Sequence, residues 1–208
     1  LIAGTVMSNY NYKTIRNRSA GIFKDRGSKF LAFAFPVSTE DHIKEIIDNL
    51  RREYHDARHH CYAWRLGADL EHFRANDDGE PSGTAGRPVL GQIQKYELTD
   101  ILIVVVRYFG GTLLGTGGLI NAYRSAATDA LEQAEIIRMD VKERYEVKFP
   151  YSAMNDVMKV LKEEQAHQLS QDFDMDCSIL VTIPLERSDR LTGRLGGIEQ
   201  VKISLLTP

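Results

Sequence analysis

Six consecutive apolar residues at positions 101–106 (Ile-Leu-Ile-Val-Val-Val), with glycine clusters on both sides, constrain this chain more than any other feature. A short run of this kind is a strand buried on both faces. It falls far short of the ~20 apolar residues that a bilayer-crossing helix needs, so no membrane association is expected. Nine of the 16 glycines lie between positions 79 and 118. The flanking chain therefore turns tightly or approaches something closely.

The remaining pattern builds outward from that strand. Residues 21–23 and 29–37 read as strands around the turn Asp25-Arg26-Gly27-Ser28, with Phe30, Leu31, Phe33 and Phe35 on the second. Ser38-x-x-Asp41 has the form of a capping box, and Ile43, Ile46, Ile47 and Leu50 follow at helical spacing. Residues 61–66 and 71–75 read as a second pair of strands. A short helix is expected after Pro88 and a longer one over 119–134. From residue 139 the order is strand 144–149, helix 152–164, a hairpin of 168–173 and 177–183 around Asp174-Met175-Asp176, helix 186–195 and strand 199–206. Six elements in the order β-α-β-β-α-β over ~70 residues are the ferredoxin-like split arrangement. The expectation is an α+β protein with domains at 1–138 and 139–208. Residues 1–6 precede Met7 and are set aside as an upstream or added piece.

With 43% hydrophobic and 26% charged residues, the chain has the balance of a globular protein rather than a disordered, collagenous or disulfide-stapled one. Cys61 and Cys177 lie far apart with no metal-type spacing, and no signal-peptide pattern opens the chain, which points to a reducing, cytoplasmic setting. The net charge of −3 argues against coating nucleic acid by bulk charge. Residues 1–138 carry 17 cations and 17 anions, and 12 of the cations are arginine, the side chain suited to bidentate oxygen recognition.

Two glycine loops are candidates for chemistry. Asp77-Asp78-Gly79-Glu80-Pro81-Ser82-Gly83-Thr84-Ala85-Gly86 could seat a phosphate or ribose on backbone N–H groups and hydroxyls, or a hard cation on its carboxylates. Its spacing is not that of a calcium loop, and a structural turn has about equal weight. Arg107-Tyr108-Phe109-Gly110-Gly111-Thr112 runs on to Thr116-Gly117-Gly118 between a strand and a helix. It lacks the Walker A ending and the dinucleotide spacing. What remains is an anion-friendly helix start with Thr116 as candidate N-cap and Arg107 and Arg124 near it, or else a tight connection. His55 and His59 have only two of the ligands a zinc site needs, so a solvated helix end is the better reading. Cys61 in an apolar strand is expected to be inert. Tyr62, Trp64, Tyr108 and Phe109 could stack on bases, although aromatic residues in strands are mostly core.

Three stretches closely resemble the YigZ/IMPACT family. They are His59-His60-Cys61-Tyr62-Ala63, then Asn76 through Pro88, then Val105-Val106-Arg107-Tyr108-Phe109-Gly110-Gly111 with Leu114-Gly115-Thr116-Gly117-Gly118-Leu119. Asn76 stands where many members carry serine. The resemblance covers about 20–135, and the two-domain plan matches the bacterial branch. It implies an N-terminal domain of the type shared by a ribosomal small-subunit protein, elongation factor G domain IV and the GHMP kinases. It implies a C-terminal domain resembling elongation factor G domain V. The resemblance also brings a role of eukaryotic members, restraint of a stress-activated initiation-factor kinase, but that role is tied to an RWD domain that is not expected in these 208 residues.

The expectation is a non-enzymatic protein that binds RNA or the ribosome and its factors, with no cofactor and no metal. Arg58, Arg74, Arg87, Arg107 and Arg124 would line a groove. His60, Asp77, Asp78, Glu80, Ser82, Thr84, Tyr108, Thr112 and Thr116 complete the candidate site. The alternative is an enzyme or ligand-binding protein for a phosphorylated small molecule, using the same two glycine loops.

Overall fold

A computed structural model describes residues 10–173 and 176–206; the expected turn at Asp174-Met175 and residues 1–6 lie outside the described residues. The chain is α+β and divides into two compact units. One is Tyr12–Met139; the other is Asp140–Pro208, with which Tyr10 and Asn11 group.

The first unit carries β1 (Asn11–Ile15), β2 (Ser19–Asp25), β3 (Ser28–Pro36), α1 (Glu40–Glu53), β4 (His59–Leu66), β5 (His72–Asn76), α2 (Gly86–Lys95), β6 (Ile101–Tyr108), α3 (Gly115–Glu132) and β7 (Ile136–Asp140). Five strands form an antiparallel sheet in the order β2-β3-β6-β4-β5. The apolar run lies in β6, at the centre, and the sheet is covered on both faces. Ile101, Ile103 and Val105 pack with Ala32, Ala34 and Ala63 against α2 and α3. Leu102, Val104 and Val106 pack with Phe33 and Trp64 against α1. Side chains alternate across a strand, so a strand buried on both faces must be apolar at every position.

The alanine-rich face lets α3 lie close to the sheet. A Cβ on Gly21 of β2 would stand 2.3 Å from the backbone nitrogen of Ala130. Polar anchors hold the same contact: Ser19 Oγ donates to the Ala130 carbonyl (2.7 Å) and Ile22 N–H to the Asp129 carboxylate (2.7 Å).

The second unit runs β8 (Lys142–Pro150), α4 (Met154–Glu163), β9 (His167–Phe173), β10 (Asp176–Pro184), α5 (Leu185–Gly196) and β11 (Lys202–Leu206), in the order β11-β8-β10-β9 with antiparallel pairing. Val147, Phe149, Ile179 and Val181 meet Val157, Leu161, Leu191 and Leu195 in its core. Glu164, just past α4, accepts from Arg190 Nε (2.5 Å) and Arg194 Nη1 (2.6 Å), tying α5 to α4.

The structure corrects several sequence expectations. Thr39, not Ser38, caps α1, accepting from His42 N–H at 3.2 Å. α2 begins at Gly86, so Pro88 lies inside its first turn, where a missing N–H costs nothing. α3 begins at Gly115, four residues before the expected start. The β1–β7 ribbon was not expected; its strands are short and distant in sequence.

Candidate functional site

The ends of β4 and β6 and the start of α3 enclose a cleft of about 350 Å³. Its walls include Arg58, His59, Glu80, Arg107, Phe109 and Thr116. Strand register explains the floor. His59 lies directly opposite Arg107 in the β4–β6 ladder, and Arg107 follows Val105 on the face turned toward α2 and α3.

Arg107 reaches Glu80 there, with Nη1 at 2.5 Å from Oε1 and the two side chains only 6% and 4% exposed. Tyr123 of α3 donates its hydroxyl to the same oxygen (2.8 Å). Cys61 lies behind, its Sγ 3.3 Å from the Tyr123 hydroxyl and 3.0 Å from the Asp77 carbonyl. Burial pushes the Cys61 thiol and the Tyr123 phenol well above their ordinary values. Both are therefore protonated at neutral pH, and the floor has one buried ion pair surrounded by neutral donors. His59 meets the Asp78 carbonyl through Nδ1 (2.8 Å). A carbonyl only accepts, so Nδ1 carries the proton and Nε2 faces Glu80 at 3.9 Å.

The acidic loop is engaged internally. The Asp77 carboxylate accepts from the backbone N–H groups of Gly83 (2.8 Å), Ala85 (3.0 Å) and Gly86 (2.8 Å), and so caps α2 from outside the helix. Burial pushes its pKa up, but the three N–H donors and Arg87 outweigh that and hold it below the usual value. Asp78 accepts from His60 N–H (2.7 Å) and Arg51 (3.0 Å). With Glu80 on Arg107, each carboxylate of the loop has a structural partner, and among the described residues no group of three or more His, Cys, Asp and Glu could hold a metal ion. The start of α2 is likewise taken by Asp77.

The start of α3 differs. Leu114, not Thr116, is its N-cap, and no side chain caps it. Leu114, Gly115 and Thr116 border the cleft, so the uncapped N–H groups at this helix start stand beside it. Gly110 fixes the loop in place. A Cβ there would come within 1.9 Å of the Gly27 backbone in the β2–β3 turn.

Of the arginines expected in one groove, Arg58 and Arg107 meet in this cleft. Arg74 lies opposite Trp64 and lines a depression beside α1 on the other face of the sheet. Arg87 lies by Gly83 on the first turn of α2, and Arg124 is exposed on α3. Glu80 and Thr116 line the cleft. Ser82 and Thr112 are exposed in their loops, and Thr84 donates to the Pro81 carbonyl (2.6 Å). Tyr108 donates to Asp56 (2.9 Å) and packs on the α1 side. His60 is buried on that side too, where burial lowers its pKa. Phe109, considered only as a weak stacking candidate, stands 42% exposed at the cleft. His59, weighed only as a zinc ligand, and Tyr123 were not among the candidate site residues. Their signal is the parity of β4, which puts 59 and 61 on one face, and a tyrosine hydroxyl on an otherwise apolar helix face.

Fold and site together define a two-unit α+β protein with an arginine-bearing cleft at an uncapped helix start. Residues 26–131 match the Impact N-terminal domain family, and the chain belongs to the IMPACT family. It is 32% identical to the IMPACT family member YigZ of Escherichia coli over 181 residues, covering 86% of this chain and 89% of that protein. With the Bacillus subtilis member YvyE it shares 33% identity over 156 residues, 75% and 72% of the two chains. The Saccharomyces cerevisiae protein IMPACT homolog matches at 34% over 96 residues, 44% of this chain and 36% of its own. A crystal structure described as that of an hypothetical protein superposes with a TM-score of 0.75 at 29% identity, covering 96% of this chain and 98% of the other. Among the described residues no helix is long and apolar enough to cross a membrane.

Proposed function

We propose that this protein is a non-enzymatic, cytoplasmic RNA-binding factor linked to translation, and that the cleft at the start of α3 is where RNA engages. The observation that carries this reading is the exposed Phe109 ring beside Arg58, Arg107 and the uncapped α3 N-terminus. An aromatic face accepts an unstacked base of any sequence, and arginines with free helix N–H groups accept the adjoining phosphate. Arg107 lies against the same ring, its guanidinium carbon 5.6 Å from the Phe109 centroid, which keeps charge and stacking surface together.

The even charge balance over residues 1–138 fits a local contact better than broad coating. That the two units are built like elongation factor G domains IV and V, and the first also like a ribosomal small-subunit protein, is proposed as part of the same reading. Equilibrium binding of a short single-stranded RNA to the full chain at low salt tests it. Phe109→Ala and Arg58→Ala are expected to weaken binding, while Arg74→Ala and Arg124→Ala leave it unchanged. Equal binding by all four variants would overturn the assignment.

A second reading, a site for a phosphorylated small molecule, is favoured by the cleft itself. Its size, about 350 Å³, falls at the lower end of the range for small-ligand pockets.

A further inference from the structure

We infer that the floor of this cleft is a seat for a phosphomonoester, the doubly charged terminal phosphate of an RNA end or of a nucleotide. The inference rests on the cleft being the ligand site and names the group that enters it most deeply. Arg107 supplies the observation. Its residue is only 5% exposed and it lines the cleft. Glu80 engages Nη1 alone, and the buried Nε–H has no hydrogen-bond partner. A buried donor left unmet is costly, and buried polar groups are satisfied in the great majority of cases. The guanidinium is a planar fork, so the Nε edge can offer two parallel donors to one oxyanion while Glu80 holds the other side.

That edge has company. Arg58 and the Gly115–Thr116 backbone border the same cleft, at a helix start without a side-chain cap. The donors of α2 are taken by Asp77; those of α3 are not taken by any side chain. Depth and charge select a terminal group. An internal phosphodiester carries one negative charge and runs with its strand along the rim, whereas a monoester carries about −1.5 to −2 near neutrality and enters end-on. Arg58 and the helix N-terminus supply the positive charge, while Arg107, whose charge Glu80 balances, supplies donors from the Nε edge that Glu80 does not occupy. Phe30 and Phe109 flank the guanidinium, 5.4 and 5.6 Å from its carbon to their centroids, and shield it from water.

The test uses the full chain and four probes: one short oligoribonucleotide with a 5′-phosphate, the same oligonucleotide with a 5′-hydroxyl, adenosine monophosphate, and inorganic phosphate. The 5′-phosphate is expected to tighten RNA binding at least tenfold. Arg107→Lys, which keeps charge but loses the fork, is expected to remove most of that gain, and Arg58→Gln part of it. Phe109→Ala should weaken both oligonucleotides by the same factor. Each variant is checked for a native unfolding transition, and Arg58→Gln, on an exposed side chain, stands if Arg107→Lys fails to fold. Equal affinity for the two oligonucleotides would overturn the seat while leaving RNA binding intact. Binding of adenosine monophosphate and inorganic phosphate, but of neither oligonucleotide, would keep the seat, assign it to small phosphorylated ligands and overturn the RNA reading. No binding by any probe would overturn both.

Discussion

Arg107 and Glu80 form a buried ion pair 2.5 Å apart, contributed by the end of the central strand and by the acidic loop that precedes α2. The pair joins the two glycine loops and forms the base of the cleft. Removing one partner of a buried pair is expected to cost about 3–5 kcal/mol, because the other charge is left uncompensated. Glu80→Ala should therefore destabilise the first unit strongly in urea unfolding. Adding Arg107→Met should recover part of the loss. Two additive single-site effects would show that the residues do not act as a pair.

Asp77 is expected to behave as a remote helix cap. Asp77→Asn should cost about 1–3 kcal/mol at pH 7, because one of the two oxygens that accept backbone N–H groups becomes an N–H donor and leaves its partner unmet. Its folded pKa lies below its ordinary value, so the carboxylate's contribution is present above about pH 4, its unfolded range, and is lost as pH falls through the folded value. Unfolding curves of wild type and Asp77→Asn should differ by a constant amount from pH 7 to pH 5 and converge at lower pH. A difference that grows on acidification would reverse the sign and the account.

The thiol of Cys61 should be silent in the native protein. It is fully buried, and burial raises its pKa, whereas the thiolate is the reactive form. Cys177 is also buried. Titration with a thiol reagent should find both cysteines only after denaturant is added. Rapid native modification of Cys61 would show that the floor opens.

Two glycines of the second loop should respond oppositely to alanine. At Gly110 a Cβ would collide with the Gly27 backbone, whereas at Gly117 it would meet nothing within 4 Å. Gly110→Ala is expected to destabilise by about 1–3 kcal/mol, the range for overpacking. Gly117→Ala lies in the first turn of α3 and should stabilise by about 0.4–1 kcal/mol through lost unfolded-state entropy. Thermal unfolding distinguishes the two.

Much of this architecture was legible in the sequence where one face or both faces of an element are apolar. The run at 101–106 reads correctly because every one of its side chains is buried, and the β-α-β-β-α-β order of the second unit reads from alternating periods. β1 was missed because Asn-Tyr-Lys-Thr-Ile has no alternation, and its pairing with β7 comes from remote sequence. The start of α3 was missed because Gly115, Gly117 and Gly118 are poor helix formers, overridden here by packing.

The candidate cleft was half legible. Arg58 and Arg107 were among the arginines expected in one groove, but composition cannot show which arginines share a face. Register decides that: Arg107 pairs with His59 and Arg74 with Trp64, and these β4 positions are an odd number of residues apart, so they point to opposite faces of the sheet.

The most direct measurement of the central claim is the salt dependence of binding to a short single-stranded RNA. Each phosphate neutralised on a single strand contributes about −0.7 to the slope of log K against log salt, so a contact that sets Arg58, Arg107 and the helix start on one phosphate should give about −0.7. Arg58→Ala should flatten the slope toward zero. Phe109→Ala should leave the slope unchanged and weaken binding by about 1–3 kcal/mol through lost stacking. A slope that Arg58→Ala does not alter, or no binding at the lowest salt, would contradict the assignment of this cleft to RNA.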